Sequence, residues 1–150
     1  MSTRYKGTLR ETRALDAFIK LLRAADTVSK NTRGPFTDAG LTESRFGVLE
    51  TLYHLGPKSP GELGRKILKS AGNLTLVIDN LERDGLVERT ATPGDRRQKL
   101  VALTEQGHDL IEKLLPRHVE RIASEMSFLS ADEQTELSRL CKKLGLRKEL

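Results

Sequence analysis

Residues 70–107, SAGNLTLVIDNLERDGLVERTATPGDRRQKLVALTEQG, limit what this chain can fold into more than any other stretch. Leu74, Val77, Ile78 and Leu81 recur at helical spacing and form one apolar stripe, while Thr75, Asp79, Glu82 and Arg83 fall elsewhere on the wheel. The pattern predicts an amphipathic helix ending at Asp84-Gly85, where glycine can take the left-handed conformation that closes helices, with Leu86 resuming apolar contact beyond the cap. A strand is expected over 86–91. Thr92-Pro93-Gly94-Asp95 reads as a turn, because proline presets φ and glycine tolerates positive φ, and a returning strand is expected over 99–103. The tip of this ribbon carries Arg96, Arg97 and Lys99. Three cations on a ribbon end that buries little suit a surface that meets a polyanion.

The flanking chain is helical by its spacing. Leu15, Phe18, Ile19, Leu22 and Ala25 make a stripe through a helix predicted over 9–30, and glycines with a proline break the pattern over 31–40. Thr42 can cap a second helix running to about Leu55 with Phe46, Leu49, Leu52 and Tyr53 inward, and Gly56-Pro57 ends it. In Ser59-Pro60-Gly61-Glu62 the serine caps the third helical amide, the proline takes the first helical position, and the glutamate reaches back to the cap. The short helix that starts there runs to about Ile67. After a turn over 68–71 it hands over to the helix above, as the first half of a helix-turn-helix. Thr104 caps a helix carrying Leu110, Ile111, Leu114, Leu115, Val119 and Ile122, in which Pro116 predicts a kink near 111–117 or a break. Ser130-Ala131-Asp132-Glu133 is a second capping box and opens a last helix with Leu137, Leu140, Cys141 and Leu144 on one side.

Composition narrows the function classes. A chain of 150 residues suits one domain or one protomer of a small oligomer, and 4% aromatic residues without tryptophan point to helices packed through aliphatic side chains. No apolar run approaches the ~20 residues that span a membrane, and the first residues lack the apolar core of a secretory signal, so a cytoplasmic protein without membrane contact is expected. A net charge of +5 permits nucleic-acid binding without requiring it. One cysteine excludes an internal disulfide and offers no metal spacing, so neither a metal nor a cofactor is implied. The histidines, His54, His108 and His118, are scattered without a nucleophile motif, His108 and His118 reading as solvated positions, so no enzyme is expected.

The run GNLTLVIDNLERDGLVERTATPGDRRQKLVALTEQG resembles the recognition helix and wing of the MarR-type bacterial transcription regulators, a winged helix-turn-helix family. Its order carries the likeness: a threonine early in the helix, LE before DGLVER, Asp-Arg-Arg at the wing tip, then LT-x-x-G opening the next helix. More weakly, the likeness extends over nearly the whole chain. The turn LKSAGN is longer than the family's usual version, which leaves the start of the recognition helix open by a few residues. The resemblance implies a mainly α fold with a small β-wing, as one domain over residues 1–150. Within it, residues 41–103 form the winged lobe, and about 1–40 and 104–150 form a helical dimerisation region. A winged unit has its own core, so apolar stripes at both termini need a further surface: a second copy of the chain, or the same protomer folded back.

As a homodimer, such a protein places two recognition helices in successive major grooves, ~34–36 Å apart, over a pseudo-palindromic operator in double-stranded DNA. Ser70, Asn73 and Thr75 are the candidates for base edges or nearby phosphates, with local capping as the other reading of Ser70 and Asn73. By resemblance Asp95 orients an arginine, Arg97 enters the minor groove and Arg96 lies nearer phosphate, while Lys99 adds phosphate charge; a solvated turn is the alternative for the arginines. Family members are commonly repressors released by a small aromatic or phenolic effector, for which Phe18, Phe46, Tyr53 and His54 are the residues to inspect. Phe18 and Phe46 also read as plain core, and His54 as a helix-end cation. Cys141 reads as a small hydrophobe, or as an oxidation sensor in an alternative reading. A winged-helix protein-interaction module is a further alternative, against which the basic wing argues, and RNA binding lacks aromatic stacking positions on the ribbon.

Overall fold

The computed structural model describes residues 3–67 and 71–146, and only the backbone of Ala71, Gly72 and Arg96. Most of the turn expected over 68–71, and Ser70 with it, lies outside the described residues. The chain divides into two compact units, a central one, Arg33–His118, and a terminal one, Met1–Thr32 with Val119–Leu150.

The terminal unit opens with α1 (Leu9–Thr32), close to the expected helix. The central unit begins with a short helix, α2 (Gly34–Thr37), inside the stretch read as a break, and it puts Phe36 into the core. Next comes α3 (Glu43–Leu55), capped by Thr42, whose side chain accepts from the Arg45 amide, and closed by Gly56 at φ +72°. The helix-turn-helix pair follows as α4 (Pro60–Ile67) and α5 (Ala71–Arg83). Strands β1 (Val87–Thr92) and β2 (Asp95–Leu103) pair antiparallel, Val87 opposite Leu103, with an irregularity between Ala91 and Thr92. Strand β2 therefore starts four residues earlier than the pattern suggested, because ladder pairing continues into the bulged tip. Lys58 adds an antiparallel bridge to Val101 outside this pair, which ties the start of α4 to the ribbon.

Helix α6 (Glu105–Met126) runs through Pro116 without a break. Pro116 is exposed, as is Glu112, whose carbonyl loses its amide partner, so water can take up the lost bond. Residues 105–118 of α6 belong to the central unit and 119–126 to the terminal unit. Helix α7 (Ala131–Gly145) starts at the expected capping box of Ser130 and Glu133.

All the buried apolar side chains among the described residues lie in the central unit. Phe46, Val48, Leu49 and Leu52 of α3 meet Leu63, Leu74, Ile78, Leu81, Val101, Ile111 and Leu114 in one cluster. His118, expected in solvent, is half-buried and stands edge-on to Phe46 at 4.8 Å and to Phe36 at 5.4 Å, with those two rings stacked.

The terminal unit is tied by polar contacts. The Asn31 side chain donates to Glu125 at 2.7 Å, Arg121 Nε donates to the Asn31 carbonyl at 2.8 Å, and Gln134 donates to the carbonyls of Met126 and Leu129. Helix α1 buries only Thr32 and α7 buries nothing. Phe18, Leu22, Leu140 and Leu144 are exposed, which departs from the core reading of Phe18.

Candidate nucleic-acid interface

Local chemistry fixes the start of α4, the end of α5 and the wing. At α4 the Ser59 amide donates to the Glu62 carboxylate at 2.9 Å, and the Glu62 amide donates to the Ser59 hydroxyl at 3.3 Å. The backbone and hydroxyl bonds from Ser59 hold the Glu62 carboxyl below the usual carboxylate range. At the far end of α5, Gly85 stands at φ +74°; its amide donates to the Glu82 carbonyl and the Leu86 amide donates to the Leu81 carbonyl. That pairing closes a helix in the Schellman manner, and Leu86 is buried beyond it.

The same turn anchors the helix after the wing. The Thr104 hydroxyl donates to the Gly85 carbonyl at 2.6 Å and accepts from the Gly107 amide at 3.1 Å. A Cβ on Gly107 would lie 1.9 Å from the Leu86 carbonyl oxygen, so only glycine lets α6 approach this closely. The LT-x-x-G sequence is thus a packing motif.

Arg89, on β1, braces the wing against α5. Its guanidinium reaches Asp79 at 2.6 Å and Glu82 at 2.8 Å, and its amide donates to Glu82 at 3.1 Å. Burial alone would lower the guanidinium pKa, but the bonds to Asp79 and Glu82 raise it above the ordinary arginine value, so the charge is fixed. The sequence offered no signal for this contact, because partners 7 and 10 residues apart on different elements follow no helical or strand period.

At the wing tip Gly94 takes φ +85° and the Thr92 hydroxyl donates to the Gln98 carbonyl at 2.9 Å. Asp95 accepts from the Arg97 backbone amide at 2.9 Å, so it fixes the chain at Arg97. Arg97 and Lys99 are exposed; the side chain of Arg96 lies outside the described residues. Asn73 and Thr75 are exposed in the first half of α5, which begins at Ala71. Lys58, Glu62, Arg65 and Lys66 line a polar cleft of about 370 Å³ beside α4, three cations and one carboxylate, a net cationic flank that the sequence reading did not single out.

The effector candidates divide between the two units, Phe18 in the terminal one and Phe46, Tyr53 and His54 in the central one. Phe46 is core, 3% exposed. Tyr53, two turns further along α3, is half-buried, with His54 edge-on at 5.3 Å and the exposed His108 tilted against it at 5.3 Å. His54 sits in the last turn of α3, as its helix-end reading requires, and Phe18 lies in the terminal unit. Cys141 is exposed on α7, so the chain does not provide the burial expected of a structural thiol. No helix among the described residues is long and apolar enough to cross a membrane.

Helices α4 and α5 in succession, followed by a braced β-ribbon, define a winged helix-turn-helix protein. Residues 41–99 match the MarR family. The chain is 37% identical over 137 residues to YkoM of Bacillus subtilis, described as an uncharacterized HTH-type transcriptional regulator, covering 91% of this chain and 89% of that one. To MhqR, an HTH-type transcriptional regulator of the same organism, it is 35% identical, covering 89% and 92%. Among solved structures, Bordetella bronchiseptica BpsR, whose DNA binding is regulated by 6-hydroxynicotinic acid, superposes at a TM-score of 0.77 with 27% identity, over 85% of this chain and 91% of that one. The chain belongs to the MarR family of HTH-type transcriptional regulators.

Proposed function

We propose that this regulator is a homodimeric repressor that binds a pseudo-palindromic operator, with α5 in the major groove and the wing in the minor groove. The observation that carries the reading is the pair of exposed cations, Arg97 and Lys99, on a ribbon braced to α5 through Arg89. Such a ribbon holds its charge at a fixed offset from the helix, as reading two grooves at once requires. Asn73 and Thr75 are assigned to base edges or nearby phosphates and Arg97 to the minor groove, with Asp95 setting the backbone from which Arg97 springs. Lys99, with Arg65 and Lys66 on the first helix of the pair, is assigned to phosphates.

The terminal unit supports the dimer. Its helices expose Leu22, Leu140 and Leu144, and Val28, Met126, Phe128 and Leu137 line an open, mainly apolar groove of about 390 Å³, with Phe128 88% exposed. A two-fold partner covers such a surface with its own copy. The working division is then a winged lobe over about 41–103 and a dimerising helical region at both ends.

A small aromatic or phenolic effector is assigned to release, as 6-hydroxynicotinic acid regulates BpsR. Tyr53 and His54 offer an aromatic face and polar tips for it. The oxidation-sensing alternative keeps Cys141, which is exposed in the single chain on the side of α7 that carries Leu140 and Leu144; Cys141→Ser then loses peroxide-triggered release from DNA.

The test is fluorescence anisotropy on inverted-repeat duplexes selected from genomic DNA. Binding that weakens steeply with salt is expected, and a flat salt dependence contradicts phosphate contact. Thermal shift with hydroxylated aromatic acids, 6-hydroxynicotinic acid among them, tests the effector. A response lost in Tyr53→Phe with operator affinity retained supports the assignment.

A further inference from the structure

Helix α5 presents one large apolar side chain to solvent. Leu76 lies two residues after Leu74 and two before Ile78, so at 3.6 residues per turn it stands across the helix from the stripe that enters the core. Leu74 and Ile78 are 2% and 0% exposed, whereas Leu76 is 61% exposed. A lone exposed leucine is ordinary on a protein surface. This one occupies the outermost line of the recognition helix, between Asn73 and Thr75, which are exposed on either side of it. Further along the same helix Asp79 and Glu82 are held by Arg89. Among the described side chains of the first two turns, the outward surface thus carries Asn73, Leu76 and Thr75.

Resting on the DNA-binding reading above, we propose that Leu76 is a specificity-determining residue that packs on the C5-methyl of a thymine in the major groove. Thymine alone among the four bases shows an apolar group there; guanine, adenine and cytosine present acceptors or donors that an isobutyl group would desolvate without a partner. The choice is therefore positive towards thymine and negative towards cytosine, whose amino group Leu76 cannot satisfy. Asn73 beside it suits adenine through a bidentate pair, so the two side chains together select A·T pairs in each half-site.

Replacing thymine by deoxyuridine removes the methyl and leaves base pairing intact, which gives a direct test. Duplexes are selected from a random pool with the full chain. Each thymine of the recovered site is then replaced in turn, and affinity is measured for the wild type and for Leu76→Ala. At one thymine of a half-site the wild type is expected to bind about fourfold more weakly without the methyl, the value of one buried methyl-sized group. Leu76→Ala, melting at the wild-type temperature because the side chain is exposed, is expected to be nearly indifferent to that replacement. A wild type indifferent to every replacement, or a variant that responds as the wild type does, overturns the assignment of Leu76 while leaving DNA binding in place. A pool that yields no preferred sequence overturns the DNA-binding reading, and this inference with it.

Discussion

The central and terminal units solve the problem of apolar surface in opposite ways. In the central unit Leu49, Leu63, Ile78, Leu81 and Ile111 are wholly buried, and both ends of α3, the start of α4 and the end of α5 are capped. In the terminal unit α1 is 24 residues long yet buries only Thr32, while α7 leaves its leucines in water. The contrast teaches that the winged unit completes its core within one chain, whereas the terminal unit leaves an apolar surface for the proposed second copy to cover.

The sharpest way to break this contrast is to replace one leucine in each unit. Leu49→Ala removes a fully buried side chain and is expected to cost about 2–5 kcal/mol in denaturant unfolding. Leu140→Glu is expected to leave the fold of the central unit intact and to shift the mass in light scattering from dimer to monomer. Equal losses of stability at both sites, independent of protein concentration, contradict the division.

Within the central unit, fold and recognition should separate. Arg97→Ala is expected to lower operator affinity by about 1–3 kcal/mol without changing the melting temperature, and Lys99→Ala to weaken all sequences alike and reduce the salt slope by about 1. Arg89→Met, by contrast, is expected to cost about 1 kcal/mol of stability, since its carboxylate partners are half in water. It should also blur the offset between wing and helix, so affinity falls although Arg89 is assigned no DNA contact. Unchanged affinity in that variant removes the bracing role.

The smallest effect is one of pH. The Glu62 carboxyl is held below its ordinary value of 4.5 by Ser59, so its contribution is present above that value and fades as pH falls through the lowered one. Acid titration of the melting temperature should therefore be shallower in Glu62→Ala than in the wild type below about pH 4.5.

The parts of the fold legible in the sequence are those set by neighbours in the chain. Thr42, Ser59, Gly85, Thr104 and Ser130 mark helix ends through bonds that span only a few residues, and the apolar periods of α3 and α5 follow the same local logic. What escaped depends on packing between elements. A helix beginning Gly34-Pro35 exists because Phe36 finds the rings of Phe46 and His118, which also explains why His118 is not in solvent. The continuity of α6 through Pro116 rests on the burial of Ile111 and Leu114 just before it, against one lost bond on an exposed face. Of the site, the wing tip and the polar start of α5 were readable as residue types. The Arg89 brace, the cationic flank of α4 and the outward Leu76 needed three dimensions.

The central claim is that two copies present two reading heads to one stretch of duplex, and mass measurement of the complex addresses it most directly. Sedimentation or light scattering of the full chain with a selected inverted-repeat duplex at low ionic strength is expected to give two protein chains per duplex. The free protein should already be dimeric at micromolar concentration. A monomeric protein, or a complex with one chain per duplex, contradicts the account.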